Sequence, residues 1–310
     1  MLRETADYSI GASTVTPMAK LAFHSAGGSF VQEVSGIDLW RPLDAETAAA
    51  LRTAWQRSGV LLFRRQALSE AELVAFSDAF GRPEVIVRTD WQSQNQPEVI
   101  QISNMRNQDG QAIGGLGAGE LDWHSDQSYV TNPATGAVLY MVEMPKDGGR
   151  TYWANLQLAY AALPEAMKTK IEGRRGIFDY LKRQSTYDNE KPMSAELRRK
   201  TPPVLHPLVN VHPVTGARSL YLDPSTTVGI EGMPDAEGRA LLDELTAHAT
   251  RDEFVYSHEW QIGDVLLWDN AITLHRRDPF EKRFNRLLKR TTMRLSAERH
   301  IIPASELVAA

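Results

Sequence analysis

The sequence predicts a mixed α+β fold, in which a sandwich or barrel of β-strands is surrounded by helices. Short apolar runs separated by turn residues recur along the chain, above all in its C-terminal third. Short strands at such spacing are typical of sandwiches and barrels. Helical patterns cluster near the N-terminus and between strands, where they can buttress the sheets. At 310 residues, 42% of them hydrophobic, the chain is long enough to bury a sizeable core.

Caps and breakers define the N-terminal elements. Asp44 precedes an alanine- and leucine-rich stretch and can cap a helix over residues 45–56, which Gly59 ends. The apolar residues 60–63 predict a buried strand. Ser69, with a glutamate three positions later, forms the capping-box pattern that starts a second helix.

The rest of the chain alternates strand and helix signals. We expect residues 1–20 to form a flexible tail and residues 21–310 to form a single domain. The basic and polar stretch 173–203 predicts a solvated helix and loop. The remaining predicted strands are 30–39, which ends in a turn at 36–39, and 99–103, 137–143, 150–153, 204–211, 219–222, 254–260, 265–268, 272–275 and 287–293. The remaining predicted helices are 156–163, 164–171 and 234–249.

Residues 104–120 are polar and rich in glycine. A phosphate-cradling loop is one interpretation, but no helix opens directly after the glycines as such a loop requires. We favour a mobile loop beside a functional site.

Composition excludes several classes of protein. The net charge of -5 argues against a nucleic-acid surface, which normally needs a basic face. The absence of cysteine excludes disulfides, thiolate catalysis and cysteine-ligated zinc. The sequence contains no run of about 20 apolar residues, so it predicts no membrane span. The first twenty residues do not resemble a signal peptide. We therefore expect a cytoplasmic protein.

A metal site is indicated by the segment Trp-His-Ser-Asp at residues 123–126. In a strand, alternate side chains share a face, so that His124 and Asp126 project together. With a second histidine from a distant strand, they would form the two-histidine, one-carboxylate set typical of ferrous oxygenases. A single His-x-Asp is common by chance, and a structural role is the alternative for every histidine.

The segment around His275 strengthens the metal interpretation. Arg286 and Arg290 follow it in a stretch that reads as a strand, and the period of two places them on one face. Two guanidiniums aimed into a cavity would suit a carboxylate, which arginine binds through two parallel hydrogen bonds. An exposed basic strand is the alternative for these arginines taken alone.

Taken together, these motifs resemble a known family. The pattern Trp-His-x-Asp, then Gly-Gly-x-Thr-x-Trp at 148–153, then Trp-Asp-Asn at 268–270 with a downstream histidine and two arginines is similar to the taurine and dichlorophenoxyacetate dioxygenases. These enzymes depend on Fe(II) and 2-oxoglutarate. The resemblance extends from about Gly36 to about Arg294, and its C-terminal half is closer to the dichlorophenoxyacetate branch.

The resemblance implies a fold and a set of site residues. The implied fold is a double-stranded β-helix, a cupin-like jelly-roll, with helices packed outside. His124, Asp126 and His275 match the iron ligands. Thr151 and Arg286 match the residues that bind the distal carboxylate of 2-oxoglutarate. Arg290 matches an arginine that reaches the substrate's acidic group or the co-substrate.

The residues that line the substrate pocket are not given by the resemblance. Arg88, Tyr129 and Trp91 are candidates, with core packing as the favoured alternative for the two aromatic side chains.

The resemblance also implies the reaction. Dioxygen and 2-oxoglutarate would be consumed, succinate and carbon dioxide released, and a small, anionic organic substrate hydroxylated and in some cases thereby cleaved. The stretch after Phe80-Gly81 departs from the taurine enzymes, which predicts a substrate other than taurine. Since members of the family are often dimers or tetramers, we expect a homo-oligomer.

Three other functions use the same residues. The first is a hydroxylase of an amino-acid derivative or a natural-product intermediate, built on the same iron core. The second is a non-catalytic jelly-roll that binds a metal or an organic acid. The third is a zinc hydrolase, although no general base is evident beside the ligands and Arg286 would have no use there.

Overall fold

Strands and helices alternate along the chain, as the sequence predicts. The computed structural model describes residues 20–86, 89–184, 193–296, 300–302 and 306–307. The strands are β1 (Ala22–Ser25), β2 (Val31–Ser35), β3 (Val60–Phe63), β4 (Arg82–Pro83), β5 (Val99–Ser103), β6 (Gly115–Leu116), β7 (Leu121–His124), β8 (Gly136–Glu143), β9 (Thr151–Asn155), β10 (Arg175–Phe178), β11 (Val204–Pro207), β12 (Val209–Val211), β13 (Arg218–Leu220), β14 (Thr227–Ile230), β15 (Val255–His258), β16 (Val265–Asp269), β17 (Thr273–Arg277), β18 (Leu287–Arg294) and β19 (Glu306–Leu307). The helices are α1 (Ala45–Ser58), α2 (Glu70–Asp78), α3 (Leu156–Ala161), α4 (Glu165–Ile171), α5 (Tyr180–Gln184), α6 (Ala195–Lys200) and α7 (Asp235–Ala249), with short 3-10 turns at Thr89–Trp91 and Asp252–Phe254.

The predicted helix caps are present. The carboxylate of Asp44 accepts a hydrogen bond from the backbone N–H of Thr47, and Gly59 ends α1 in the left-handed conformation at φ 83°. A side chain with a Cβ would be strained there, which explains the glycine. Ser69 and Glu72 form the reciprocal capping box at the start of α2. The N-terminal caps therefore follow directly from the local sequence.

Two sheets form the centre of the structure. The major sheet has the order β1-β2-β3-β16-β8-β18-β5-β6, with β4 also pairing β18, and the minor sheet has the order β15-β9-β17-β7. A peripheral sheet has the order β14-β10-β11-β19, and β12 pairs β13. The strands next to each other in the minor sheet are all antiparallel.

The two central sheets pack face to face. Trp153 of β9 and Trp268 of β16 belong to one buried cluster between them. The alternate residues point the other way, so that Ala154 packs under α3 and α7 and Leu267 packs under α1 and α2. The result is a layered arrangement in which helices cover the outer face of each sheet, consistent with the mixed α+β prediction.

The prediction for residues 173–203 is wrong in part. β10 lies between β14 and β11 in the peripheral sheet, and its residue Phe178 is fully buried. Only alternate residues of this strand face inward, so the basic composition of the stretch hid the strand pattern. The exposed helix α6 is as predicted, since none of its residues is buried.

The glycine-rich stretch lies against the cavity that holds the metal-site residues. Gly115 and Leu116 form β6 and pair with β5, and no phosphate-type loop is formed. A Cβ at Gly114 would lie 2.0 Å from a carbonyl oxygen, and one at Gly115 would lie 2.1 Å from Trp91. Glycine is therefore required for this close packing.

The structure addresses the predictions about the N-terminal tail and about membrane spans only in part. Residues 1–19 of the predicted tail lie outside the described residues, and the division into tail and domain stays a prediction. No described helix is long and apolar enough to cross a membrane.

Candidate metal centre and co-substrate site

The minor sheet aligns the candidate ligands in rows across its strands. His275 is the register partner of both His124 and Trp153. Arg277, two residues further along β17, is the partner of Thr151. Because directly opposed residues share a face, these two consecutive rows point to the same side of the sheet. At about 3.3 Å per residue, the rows lie roughly 6–7 Å apart along the strands.

His124 is buried and held in one orientation. Its Nδ1 lies 2.7 Å from the backbone oxygen of Asp122, which makes this nitrogen the donor and leaves Nε2 as a free lone pair. Burial, together with the positive charge of Arg183, lowers the pKa of His124 well below 6.5. The imidazole is therefore neutral at pH 7, as a metal ligand must be.

Asp126 lies beside His124 for a reason other than the predicted one. β7 ends at His124, and Asp126 belongs to the turn that follows. The turn is closed by Gln127 at φ 55° and by the hydroxyl of Ser125, which donates to the backbone oxygen of Asn270 over 2.9 Å. Asp126 therefore lies near His124 as predicted, but because of this turn and not because of strand alternation.

His275 completes the cluster. Its Nε2 lies 3.9 Å from Oδ2 of Asp126, and its ring centroid lies 4.1 Å from that of His124. Burial lowers the pKa of His275 to about 4. One ligand atom from each of His124, Asp126 and His275 lies within 4.8 Å of the others, and no second such group exists among the described histidines and acids.

Arg290 neutralises the carboxylate of the cluster. Its Nη1 donates to Oδ1 of Asp126 over 2.9 Å, and both side chains are buried. Burial alone would raise the pKa of Asp126, but the charges of Arg290, His275 and Arg183 outweigh it, so that this pKa lies below its ordinary value of 3.8. Oδ2 of Asp126 has no hydrogen-bond partner in the described structure.

Thr151 and Arg286 lie one row away from the cluster. Both are buried, and Oγ1 of Thr151 accepts a hydrogen bond of 2.9 Å from Nε1 of Trp260. Arg286 precedes β18 rather than lying in it, and its Nη2 reaches only the backbone oxygen of Gly149 at 3.4 Å. A Cβ at Gly149 would lie 3.3 Å from Nε of Arg286, so the Gly-Gly turn leaves room for the guanidinium.

Sequence reasoning missed two arginines at this site. Arg277 is buried beside Arg286, and both guanidiniums lie over the ring of Phe280, at 5.6 and 5.7 Å. Arg183, on α5, donates to the hydroxyl of Ser225 and lowers the pKa of both cluster histidines through its charge. The alternation rule identifies Arg277, which is two residues from His275, but no local pattern identifies Arg183.

One side of the metal cluster is lined by aromatic and cationic groups. A cavity of about 40 Å³ beside Asp126 is lined by Arg290, Arg183 and Tyr129, among others. Tyr129 stacks on Tyr180 with ring centroids 4.3 Å apart. Further residues lining this cavity include Trp91 and Leu116, whereas Arg88 lies outside the described residues.

The six other histidines have structural partners, as predicted. Four of them form hydrogen bonds through Nε2 with backbone carbonyls or with a carboxylate. Nε2 of His206 bonds the carbonyls of Ser128 and Val130, that of His248 the carbonyl of Ala159, that of His300 the carbonyl of Pro133, and that of His258 the carboxylate of Asp264. His24 contacts Ser35, and Nδ1 of His212 accepts from the backbone of Val214 and Thr215.

Comparison with known proteins decides the family. Residues 18–292 match the profile described as "Taurine catabolism dioxygenase TauD, TfdA family". The chain belongs to this family.

Curated relatives and solved structures agree with the family. The alpha-ketoglutarate-dependent 2,4-dichlorophenoxyacetate dioxygenase of Cupriavidus pinatubonensis (strain JMP 134 / LMG 1197) is 34% identical over 272 residues, which cover 85% of this chain and 94% of the relative. The (S)-phenoxypropionate/alpha-ketoglutarate-dioxygenase of Delftia acidovorans is 32% identical over 276 residues, covering 84% and 91%. The crystal structure of AAD-2 in complex with Mn(II) and N-oxalylglycine has a TM-score of 0.76 at 31% identity, covering 90% of this chain and 98% of that one.

This TauD/TfdA family member is a dioxygenase that uses Fe(II), 2-oxoglutarate and dioxygen. The predicted enzyme class and cofactors are confirmed, and the zinc-hydrolase and non-catalytic alternatives lose their support. The donor set fits the metal: two neutral imidazoles and one ionised carboxylate converge, and Oδ2 of Asp126 is a buried oxygen without a partner.

Proposed function

We propose that this dioxygenase holds Fe(II) through His124, Asp126 and His275 and hydroxylates a small anionic substrate, with release of succinate and carbon dioxide. The observation that carries the proposal is the convergence of three buried ligand atoms within 4.8 Å, in a row adjacent to a second row of buried hydrogen-bond donors. When bound, iron supplies the activation of dioxygen that couples decarboxylation of 2-oxoglutarate to C–H oxidation.

The protein's own groups would prepare the metal site. The carbonyl of Asp122 fixes the His124 ring, so Nε2 faces the cluster without a proton. The positive charge of Arg290 keeps Asp126 ionised while burial favours the neutral form of both histidines. The site can therefore accept a divalent cation at pH 7 without first losing a proton.

Thr151 and Arg286 would bind the distal carboxylate of 2-oxoglutarate. A buried guanidinium pairs strongly with a carboxylate, and a threonine hydroxyl adds a neutral hydrogen bond. Trp260 donates to Oγ1 of Thr151, so the threonine proton stays available for an anion. The row spacing of roughly 6–7 Å suits a co-substrate that reaches from the metal to this carboxylate subsite.

An anionic substrate would lie on the other side of the metal. Arg290 and Arg183 both line the cavity next to Asp126, and Tyr129 gives it an aromatic wall. The named relatives act on 2,4-dichlorophenoxyacetate and on (S)-phenoxypropionate. At about 40 Å³ this cavity has room for little more than a carboxylate, so a small aromatic or aliphatic acid would place only its carboxylate there, against these arginines. Arg183 also lines an outer cleft of about 500 Å³, which gives it access to an incoming acid.

The fold is proposed to be a double-stranded β-helix. Its support is the pair of sheets, mainly antiparallel, that face each other across the cluster containing Trp153 and Trp268, with helices on both outer faces. A homo-oligomer stays a proposal based on the family resemblance, and a cytoplasmic location stays a proposal based on the sequence pattern.

The test of substrate class is succinate release measured over a panel of small acids, with uncharged amides as controls. We expect release to depend on an anionic acid. Arg183→Met should raise the substrate KM by about tenfold and leave the KM for 2-oxoglutarate unchanged. Lys168→Met is the control, since Lys168 bonds the carbonyl of Ala161 and the carboxylate of Glu165 and lines neither cavity. Equal turnover of acids and amides would contradict an anionic substrate.

Arg290→Met separates substrate binding from co-substrate binding. Because Arg290 also pairs with Asp126, Mn(II) affinity is measured alongside. With metal saturating, we expect a larger rise in the KM for the substrate than in that for 2-oxoglutarate. An equal rise in both would place Arg290 in the co-substrate site.

A further inference from the structure

We propose that Arg277 is a second guanidinium for the distal carboxylate of 2-oxoglutarate, next to Arg286. The proposal deepens the proposed function and rests on it, because it assumes that Thr151 and Arg286 mark the co-substrate's distal end. It assigns a binding role to a residue outside the His-x-Asp, histidine and Arg286 pattern.

Burial without a counter-charge is the first observation. Arg277 and Arg286 are 3% and 2% exposed. Within the described ranges, neither guanidinium has an acidic side chain within 4.0 Å. Arginines elsewhere in the described structure do form ion pairs, for example Arg64, Arg218 and Arg290. Two buried cations side by side repel each other and are costly unless an anion joins them. The arrangement is therefore that of a site for a negatively charged ligand.

Unused hydrogen-bond donors are the second observation. Nε and Nη1 of Arg277 and Nε of Arg286 are buried and have no hydrogen-bond partner in the described structure. Nη2 of Arg277 donates to the backbone oxygens of Leu116 and Gly119. The guanidinium is thus fixed by Nη2, while Nε and Nη1 each stay available for a single charge-assisted hydrogen bond to a carboxylate oxygen.

Register places Arg277 at the correct distance from the metal ligands. Arg277 follows His275 by two residues on β17 and so shares its face. Its cross-strand partner is Thr151, which the proposed function assigns to the distal carboxylate. Arg276, between them in the chain, points to the other face, where it bonds Asp278 and lies over the ring of Tyr152. Only Arg277 of this pair can reach the co-substrate.

The positive charge of Arg277 supports the same role. Burial lowers the pKa of Arg277 to about 10, so it is still protonated at pH 7. Two positive charges at one carboxylate should increase the preference for a 2-oxo dicarboxylate over a 2-oxo monocarboxylate. The contacts of Nη2 with the carbonyls of Leu116 and Gly119 offer a competing role, in which Arg277 only anchors the 104–120 stretch.

Binding of two ligands to Mn(II)-loaded enzyme, measured by calorimetry, separates these roles. The ligands are N-oxalylglycine, which has the distal carboxylate, and 2-oxopentanoate, which has a methyl group in its place. For Arg277→Met we expect a loss of affinity for N-oxalylglycine of about tenfold or more, with 2-oxopentanoate changed by less than about twofold. Arg276→Met, the matched control, should change neither. Equal weakening of both ligands, or no change in either, would overturn the proposal.

Two further variants complete the experiment. Arg277→Lys keeps the positive charge and should retain more N-oxalylglycine affinity than Arg277→Met. If Arg277→Met does not fold, Arg277→Gln, which keeps a hydrogen-bond donor and loses the charge, takes its place, and wild-type discrimination between the two ligands in that variant contradicts the proposal. Arg286→Met must weaken N-oxalylglycine selectively. If it does not, the assigned co-substrate site itself is wrong, whatever Arg277→Met shows.

Discussion

Two charged clusters lie next to each other beside the minor sheet, and they differ in how their charges are paired. In one, the carboxylate of Asp264 accepts from Arg64 at 2.7 Å and contacts Nε2 of His258 at 2.9 Å. In the other, Arg277 and Arg286 have no carboxylate partner among the described residues. The clusters are neighbours, since Thr151 is the register partner of both His258 and Arg277.

The difference separates a structural network from a binding site. The cluster around Asp264 pairs its charges within the protein through Oδ2 of that carboxylate, although Oδ1 has no hydrogen-bond partner in the described structure. A ligand there would have to displace existing ion pairs. The cluster around Arg286 has donors without acceptors, and Asp126 nearby has an acceptor without a donor. Burying a polar or charged group without a partner costs free energy. The concentration of such groups in adjacent rows is therefore best explained by ligands that supply the missing hydrogen bonds and charges.

The largest expected effect is a loss of affinity for 2-oxoglutarate, caused by a substitution in the unpaired cluster. Arg286→Met should raise the Kd for 2-oxoglutarate by about 100-fold, or about 3 kcal/mol at 1.4 kcal/mol per tenfold change, because the main charged partner of the distal carboxylate is lost. The free energy of unfolding without ligand should not fall, since no ion pair within the protein is broken. Calorimetry and urea unfolding measure the two quantities. Arg283→Met, an exposed charge nearby, is the control; a stability loss with unchanged 2-oxoglutarate affinity would reverse the assignment.

The opposite outcome is expected in the paired cluster. Asp264→Asn should lower the free energy of unfolding by about 3 kcal/mol, because it leaves Arg64 and His258 without their buried carboxylate. Affinity of the folded enzyme for 2-oxoglutarate should be unchanged. Asp235→Asn, which breaks an exposed pair with Arg239, should cost less than about 1 kcal/mol. Equal effects of the two substitutions in urea unfolding would remove the distinction between the clusters.

Acid should weaken the framework behind the metal cluster. Burial lowers the pKa of His206 to about 4 from 6.5, and its Nε2 donates to the carbonyls of Ser128 and Val130. The unfolded chain thus binds a proton between pH 6.5 and 4 that the folded chain does not. The stability from this group is present above pH 6.5 and is lost as the pH falls toward 4, by up to about 3 kcal/mol. His206→Gln keeps a donor and should flatten the pH dependence of urea unfolding by about one proton; an unchanged slope would contradict this.

The smallest expected effect sharpens the role of the Gly-Gly turn. Gly149→Ala should cost about 1 kcal/mol of stability because φ is 69°, and should weaken 2-oxoglutarate binding a few-fold because the new Cβ approaches Arg286. Gly173→Ala has the same φ of 69° but open space around the added Cβ. It should show the stability cost alone. Identical co-substrate affinity in the two variants would mean that the turn does not position Arg286.

The ligand set could be predicted from the sequence because its signals are local or of fixed spacing. The His-x-Asp segment and the downstream arginines located four residues that the structure brings together: His124, Asp126, His275 and Arg290. The reason given for Asp126 was wrong, since β7 ends before it. The order of the strands in the sheets could not be predicted, because it depends on contacts between distant segments.

The substrate side was predicted less well for a physical reason. Arg183 reaches the cavity from α5, a short helix in a basic stretch whose composition indicates only solvation. Its position depends on packing of the peripheral sheet, which no local pattern encodes. The position of Arg277 was predictable, because it shares the strand face of His275, but sequence reasoning did not name it as a candidate.

The most direct test of the central claim is anaerobic visible spectroscopy of the enzyme with Fe(II) and 2-oxoglutarate. Chelation of iron by the co-substrate at His124, Asp126 and His275 should give a weak charge-transfer absorption band. The band should be absent in His124→Ala and present in His248→Ala, whose histidine bonds a backbone carbonyl away from the cluster. Absence of the band in the wild type, or its persistence in His124→Ala, would contradict the assigned metal centre.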